Sequence, residues 1–347
     1  MKKRSLSVCI CLIMFLALIF QSCAPVDYIP EDPQNTSKVT DTSEVTSREE
    51  EEMNKVENLS YSTATVRFVI NKPGGEGELS YVYPVGKTIQ PEDIPTPNHF
   101  GNYVFHCWTA DERGLDPCNP EGFLVKGDVT FYGNWYDQSL AYASAATTIE
   151  SRDGGIYNLP KGKVIFYGAS NFTRWTTLEK DMSPELDALN HGIGGATDAD
   201  LLEHLDRLVL RYEPKAVVIQ CSNNDVAKYS DAQCKLTKQQ LYNRIHEALP
   251  DTTVIFVSHM PLPSRTAYWK TSSRLQNLNT WVKNFCEQNE NCEYLDVYDD
   301  ILEIANVYLS GNTSAYFNDG SHFNAAGQAK FCAALKPAIV EIINREN

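Results

Sequence analysis

One stretch constrains this chain more than any other: Lys163-Val164-Ile165-Phe166-Tyr167-Gly168-Ala169-Ser170-Asn171-Phe172-Thr173-Arg174-Trp175. Its apolar, β-branched and aromatic run stops at Gly-Ala-Ser, where no bulk at Cβ hinders a sharp change of direction. A buried strand ending on small residues predicts a tight strand-to-helix turn. Such a turn lifts one hydroxyl, that of Ser170, to the carboxyl end of a parallel sheet, where open α/β sheets place their sites. By itself a Gly-x-Ser turn after a strand is most often only a turn. Its chemical weight comes from segments further along.

From Gly162 onward, apolar runs alternate with amphipathic helical patterns. The strand candidates are Val164–Tyr167, Ala216–Gln220, Thr253–Ser258 and Tyr294–Val297. Between them, Leu201, Leu202, Leu205, Leu208 and Val209 share one helical face behind Asp198. Leu241, Ile245 and Leu249 do the same after Thr237, and Leu275, Leu278, Trp281 and Val282 after Thr271. Residues 325–343 read as a closing helix. Strands alternating with helices over short connections predict a parallel sheet covered on both faces, a three-layer α/β/α sandwich.

Three segments join Ser170. Leu189-Asn190-His191-Gly192-Ile193-Gly194-Gly195-Ala196-Thr197 is a Gly-rich loop entering a helix, and its glycines let a backbone N–H approach a developing negative charge. It lacks the lysine of a phosphate-binding loop. Gln220-Cys221-Ser222-Asn223-Asn224-Asp225 closes a buried strand with amides that can donate to the same charge. Asn318-Asp319-Gly320-Ser321-His322-Phe323-Asn324 sets Asp and His three apart in a turn, so a carboxylate can hold one imidazole nitrogen while the other faces outward. Each piece has a bland alternative: Asn224 or Asp319 as a helix cap, His322 as a surface histidine. Their joint occurrence, with the first and third segments at strand ends, argues for one site.

These four blocks resemble those of the SGNH/GDSL hydrolases. Gly168-Ala169-Ser170 stands for Gly-Asp-Ser, and Ile193-Gly194-Gly195-Ala196-Thr197 for the Gly-bearing loop. Ser222-Asn223-Asn224-Asp225 stands for Gly-x-Asn-Asp, and Asp319 to His322 for Asp-x-x-His. Phe172, Arg174 and Trp175 bring the first block near the branch with Gly-Ser-Ser-x-x-x-x-Trp. Ala169 replaces an acidic residue, and Ser222 replaces a glycine beside Asn224, where it can crowd the acyl pocket. The resemblance runs from about residue 162 to 347 and implies a flavodoxin-like fold and serine esterase chemistry. In that reading Ser170 is the nucleophile, His322 the base and Asp319 its orienter. The N–H groups of Ser170 and Gly195 and the amide of Asn224 form the oxyanion hole. Asn171, Arg265 and Trp269 are further candidates for substrate contact. No metal and no cofactor are called for. The implied substrate is a small-molecule or glycan ester, first of all an O-acetyl group on carbohydrate. A lipid or short-acyl esterase resembling lysophospholipases, and a non-catalytic surface-binding protein that keeps the fold, are the alternatives.

Upstream, Lys2, Lys3 and Arg4 precede an apolar run from Leu6 to Phe20 and then Gln21-Ser22-Cys23. The run is shorter than the ~20 residues of a spanning helix and reads as an export signal. It resembles a bacterial lipobox, with Phe20 and Gln21 as departures, and implies a lipid on Cys23. A membrane-anchored lipoprotein at the cell surface is the expectation; a cleaved secreted form and an uncleaved anchor remain open. Residues 24–62 are rich in Ser, Thr, Glu, Asp and Pro and read as a disordered acidic tether. Residues 63–137 read as a small β-rich module with strands near Thr65–Ile70, Leu79–Tyr83, Tyr103–Trp108 and Val129–Trp135. The run from Val66 through Pro95, with His106-Cys107-Trp108 and Tyr132-Gly133-Asn134-Trp135, resembles a Listeria–Bacteroides repeat. That implies a β-grasp-like spacer or a surface that contacts cell wall or glycan. Residues 138–161 read as a linker that caps the next domain, residues 162–347.

The net charge of −15 and the absence of a Lys/Arg stripe argue against a nucleic-acid partner. The cysteines show no C-x-x-C pair and no zinc-like spacing with His. Cys107 with Cys118, and Cys286 with Cys292, are the nearest candidates for pairing.

Overall fold

The computed structural model describes residues 62–345 except 72, 74–76, 221 and 266–272. The stretches read as export signal and tether, as far as residue 61 and including Cys23, lie outside the described residues, as do Trp269 and the side chain of Arg265. What is described belongs to one unit, Tyr61–Asn347.

The first sheet holds β1 (Thr63–Val69), β2 (Glu78–Pro84), β3 (Tyr103–Thr109) and β4 (Val129–Asp137) in the order β2-β1-β4-β3. β1 runs antiparallel to β2 and parallel to β4, while β3 pairs antiparallel with β4. The period of two is plain in β1: Ala64, Val66 and Phe68 are buried, and Arg67 is exposed. Phe68 lies 5.0 Å from the Trp108 ring and 5.3 Å from that of Phe131. The two tryptophans differ in use: Trp108 is core, whereas Trp135 is half-buried and donates its indole N–H to the Ile70 carbonyl at 2.8 Å.

Residues 138–161 hold a helix, α1 (Ala143–Arg152), which the sequence pattern does not announce. Its buried side chains are Ala143, Ala146, Ile149 and Glu150, so the inward stripe contains only one large apolar residue. Ala146 and Ile149 join the cluster that contains Ile165 and Tyr167.

The second sheet is all parallel, in the order β6-β5-β7-β8-β9, formed by β5 (Val164–Gly168), β6 (Ala188–Gly192), β7 (Ala216–Gln220), β8 (Thr253–Val257) and β9 (Cys292–Leu295). β5, β7 and β8 are buried at every position, as strands covered on both faces must be. Alternate residues divide between two cores. Val164, Phe166, Val218, Ile255 and Val257 pack under α9 (Tyr298–Leu309) and α10 (Ala325–Arg345). Ile165, Tyr167, Val217, Ile219, Val254 and Phe256 pack under α4 (Asp198–Glu203), α5 (Leu205–Leu208) and α7 (Asp231–Ala248). The three-layer sandwich is the observed fold.

Some boundaries differ from expectation. β6 lies within the stretch read as a loop, because Asn190 and His191 hide the strand pattern. Both are satisfied in place: Asn190 donates to the carbonyls of Phe172 and Trp175, and His191 meets the Leu208 carbonyl and the Asp153 carboxylate. β9 begins at Cys292 rather than Tyr294, and α7 starts at Asp231, capped by the Ser230 hydroxyl, well before Thr237.

The two sheets meet at a buried arginine. Arg211 donates to the Gly114 carbonyl at 3.0 Å, to His106 Nδ1 at 2.9 Å and to Asn134 Oδ1 at 2.5 Å. With Nδ1 accepting, His106 Nε2 carries the hydrogen and donates to Glu150 at 3.2 Å. Glu150 also takes two hydrogen bonds from Arg207.

Candidate active site

β5 delivers Gly168-Ala169 to the carboxyl edge of the parallel sheet, and the chain turns at once into α2 (Ser170–Thr173). The turn is held from below, where Ile193 N donates to the Gly168 carbonyl at 2.8 Å. Gly192 makes this possible. A Cβ there would stand 2.3 Å from Thr173 N and 2.7 Å from the Phe172 carbonyl carbon, so α2 packs directly on the β6 backbone. Trp175 and Phe172 are buried beneath it and anchor the turn in the core.

The loop before α10 carries Asp319 and His322. Phe317 and Phe323 are buried on either side of it and form an isolated antiparallel bridge. Asn318 closes the loop, its N–H donating to the His322 carbonyl at 2.8 Å and its side chain to the Phe323 carbonyl at 2.9 Å. Asp319 sits inside that closure. Its Oδ1 accepts the N–H groups of Ser321 at 3.0 Å and His322 at 2.9 Å. His322 Nδ1 lies 2.9 and 2.8 Å from its two oxygens. A carboxylate only accepts, so Nδ1 is the donor and Nε2 is left with its lone pair. That Nε2 is 3.0 Å from Ser170 Oγ. A hydroxyl, an imidazole and a carboxylate 152 residues apart in sequence at their widest contact are thus in one hydrogen-bonded line. Partial burial acts to raise the Asp319 pKa, but hydrogen bonds from the His322 ring and the Ser321 and His322 N–H groups outweigh it and lower it.

Across the cavity stand the polar groups of the other two segments. Gly195 has φ +86°, a left-handed conformation that a side chain would strain. The N–H groups of Ser170 and Gly195 donate to no acceptor among the described residues. Asn224 donates through its side chain to the Ala196 carbonyl at 3.0 Å, which leaves its second amide hydrogen. Ser222 is N-cap of α6 (Asn223–Lys228), and its hydroxyl donates to the Ala196 carbonyl at 3.2 Å while accepting the Asn224 N–H at 3.1 Å. The serine expected to crowd the acyl pocket is engaged in tying the two loops together.

Behind this wall is a buried cluster that nothing in the pattern announces. Both Asp225 oxygens accept the Asp198 N–H, at 3.1 and 2.9 Å, and Lys238 pairs with Asp198 at 2.5 Å. Burial first, and then the charge of Asp198, push Asp225 up to about 7. The cluster joins α6, α4 and α7, and so fixes the Gly194–Thr197 loop between them.

Ser170, His322, Gly195 and Asn224 line one cavity of about 470 Å3. Asn171 lines it too, almost fully buried and with Oδ1 unpartnered; Gln220 does the same through Oε1. Arg174, absent from the candidate set, also lines it. Trp269 and the Arg265 side chain are outside the described residues. Among the described residues no group of three or more His, Cys, Asp or Glu is gathered as metal ligands would be.

Residues 164–330 match the model of the GDSL-like Lipase/Acylhydrolase family. No curated protein matches the chain. Among solved structures, one from Streptococcus pneumonia assigned as a platelet activating factor is 17% identical, with a TM-score of 0.47, over 56% of this chain and 91% of that one. A Bacteroides fragilis protein assigned as an acylhydrolase is 20% identical, with a TM-score of 0.45, over 58% and 95%. A catalytic mutant of an acetylxylan esterase from Geobacillus stearothermophilus is 17% identical, with a TM-score of 0.40, over 53% and 95%. The C-terminal part of the chain, residues 164–330, is an ester-hydrolase domain of the GDSL-like lipase/acylhydrolase family.

Proposed function

We propose that this domain removes O-acetyl groups from carbohydrate by serine catalysis. The observation that carries the reading is the line from Ser170 Oγ through His322 Nε2, at 3.0 Å, to the Asp319 carboxylate. Ser170 attacks the ester carbonyl, and His322 takes its proton and then passes it to the leaving alcohol. Asp319 holds the imidazole tautomer and steadies the imidazolium. The N–H groups of Ser170 and Gly195 and the Asn224 amide receive the oxyanion. The cavity wall supports a polar alcohol and a short acyl group: among the described residues, amides and hydroxyls of Asn171, Thr173, Gln220, Ser222 and Asn223 line it, with Leu262 the one large apolar side chain. We further propose that the enzyme sits at the cell surface, held by a lipid on Cys23, where O-acetylated glycans or envelope polymers would meet it.

Hydrolysis of p-nitrophenyl acetate by the wild type and by Ser170→Ala tests the chemistry. Loss of at least ~10³-fold in the variant is the expected result, and equal rates would mean that the fold serves binding alone. A series of acyl lengths from acetyl to octanoyl then tests the substrate class. Rates that fall with length, together with acetate release from acetylated polysaccharide, support deacetylation; rates that rise with each methylene would make the enzyme a lipid or acyl-chain esterase.

A further inference from the structure

Arg174 stands four residues after Ser170 and donates its N–H to the Ser170 carbonyl at 2.9 Å. Side chains at that spacing share one face of a helical turn, and both line the cavity. The guanidinium makes no side-chain hydrogen bond among the described residues. The nearest carboxylate oxygen is Asp319 Oδ2, at 3.8 Å, with the two side chains 53% and 48% exposed. So long and exposed a pair contributes little, and Asp319 is already committed to His322 and two backbone N–H groups. Arg211 shows the contrast, spending its donors on the Gly114 carbonyl, His106 and Asn134. Arg174 therefore presents a charged, planar fork of donors beside the nucleophile.

The side of the cavity matters. Gly195 and Asn224 mark where the carbonyl oxygen sits, and His322 marks where the alcohol leaves. Arg174 lies by Asp319, on the leaving-alcohol side. Given the esterase reading above, on which this rests, we propose that Arg174 determines specificity by taking a carboxylate on the alcohol portion of the ester. The preferred substrate is then an O-acetylated acidic sugar. Guanidinium and carboxylate match in a bidentate, charge-assisted pair that a neutral sugar cannot form.

The test uses the full chain with a matched pair, an acetylated methyl glucoside and the acetylated methyl glucuronide, with p-nitrophenyl acetate as a third substrate. Wild type is expected to favour the glucuronide by about tenfold or more in kcat/KM. Arg174→Gln should bring that ratio to about one through KM, and Arg174→Lys should keep part of it, having the charge without the fork. A wild-type ratio of one or below, with p-nitrophenyl acetate still hydrolysed, overturns the assignment alone. So does an equal loss on both sugars through kcat in Arg174→Gln, which would mean that the residue acts through Asp319. Hydrolysis of none of the three esters overturns the esterase reading and this assignment with it.

Discussion

At the scale of single residues, the site is a set of side chains each held by a partner that leaves one atom free for chemistry. His322 gives Nδ1 to Asp319 and keeps Nε2; Asn224 gives one amide hydrogen to Ala196 and keeps the other. Asn224→Ala is accordingly expected to lower kcat by ~10²–10³ with little change in KM, since an oxyanion donor acts mainly in the transition state. Steady-state kinetics on p-nitrophenyl acetate check this, and an effect confined to KM would remove Asn224 from the oxyanion hole. That Ser170, Asp319 and His322 would meet was legible, because residue type and order alone carry it. The hydrogen bonds of Ser222 and the Asp198–Asp225–Lys238 cluster were not. Their importance lies in direction and burial, and a lysine on a helix gives no sign in sequence that it will end inside, facing a carboxylate.

Among elements, the strands of the parallel sheet were readable where they are apolar but for one end residue, as in β7 and β8. β6 was hidden because polar side chains within it find partners in neighbouring turns. α1 was hidden because much of its inward face is alanine and a paired glutamate. The contact of α2 with β6 is a constraint of backbone on backbone. Gly192→Ala should cost about 1–3 kcal/mol as an overpacked site that cannot relax by moving a flexible side chain. Chemical denaturation would show it, and an unchanged midpoint would mean that the turn yields. At the joint of α8 (Arg274–Cys286) and β9, the Cys286 and Cys292 sulfurs are 3.1 Å apart as thiols, both buried. Oxidised glutathione is expected to join them: two thiols give up two hydrogens and form one S–S bond, while the oxidant is reduced to two thiols. Alkylation of the unfolded protein followed by mass measurement reads this out. If both cysteines take label after oxidation, the pair does not close.

For the molecule as a whole, the seam between the sheets supplies the part of the acid response that weakens the fold, while Asp225, pushed up to about 7, acts in the opposite sense. Burial would raise the Glu150 pKa, but hydrogen bonds from His106 and Arg207 bring it down to about 2 from an ordinary 4.5. Burial, with the charges of Arg211 and Arg207, keeps His106 below its ordinary 6.5 against the pull of Glu150. Both folded values lie below the unfolded ones, so the unfolded chain binds protons first as pH falls. Stability from these groups is whole above pH 6.5. It declines as unfolded His106 protonates, and again between 4.5 and about 2 as Glu150 follows. Urea midpoints measured from pH 8 down to 3 in an Asp225→Asn background, which removes the opposing carboxylate, test this, and a flat profile to pH 4 there would refute it. The same seam bears on heredity and on engineering. A guanidinium that takes acceptors from Gly114, His106 and Asn134 makes the hydrolase a poor part to transplant. A different front piece would have to bring its own three acceptors to the same place, or meet an arginine in the dry with nothing to hold.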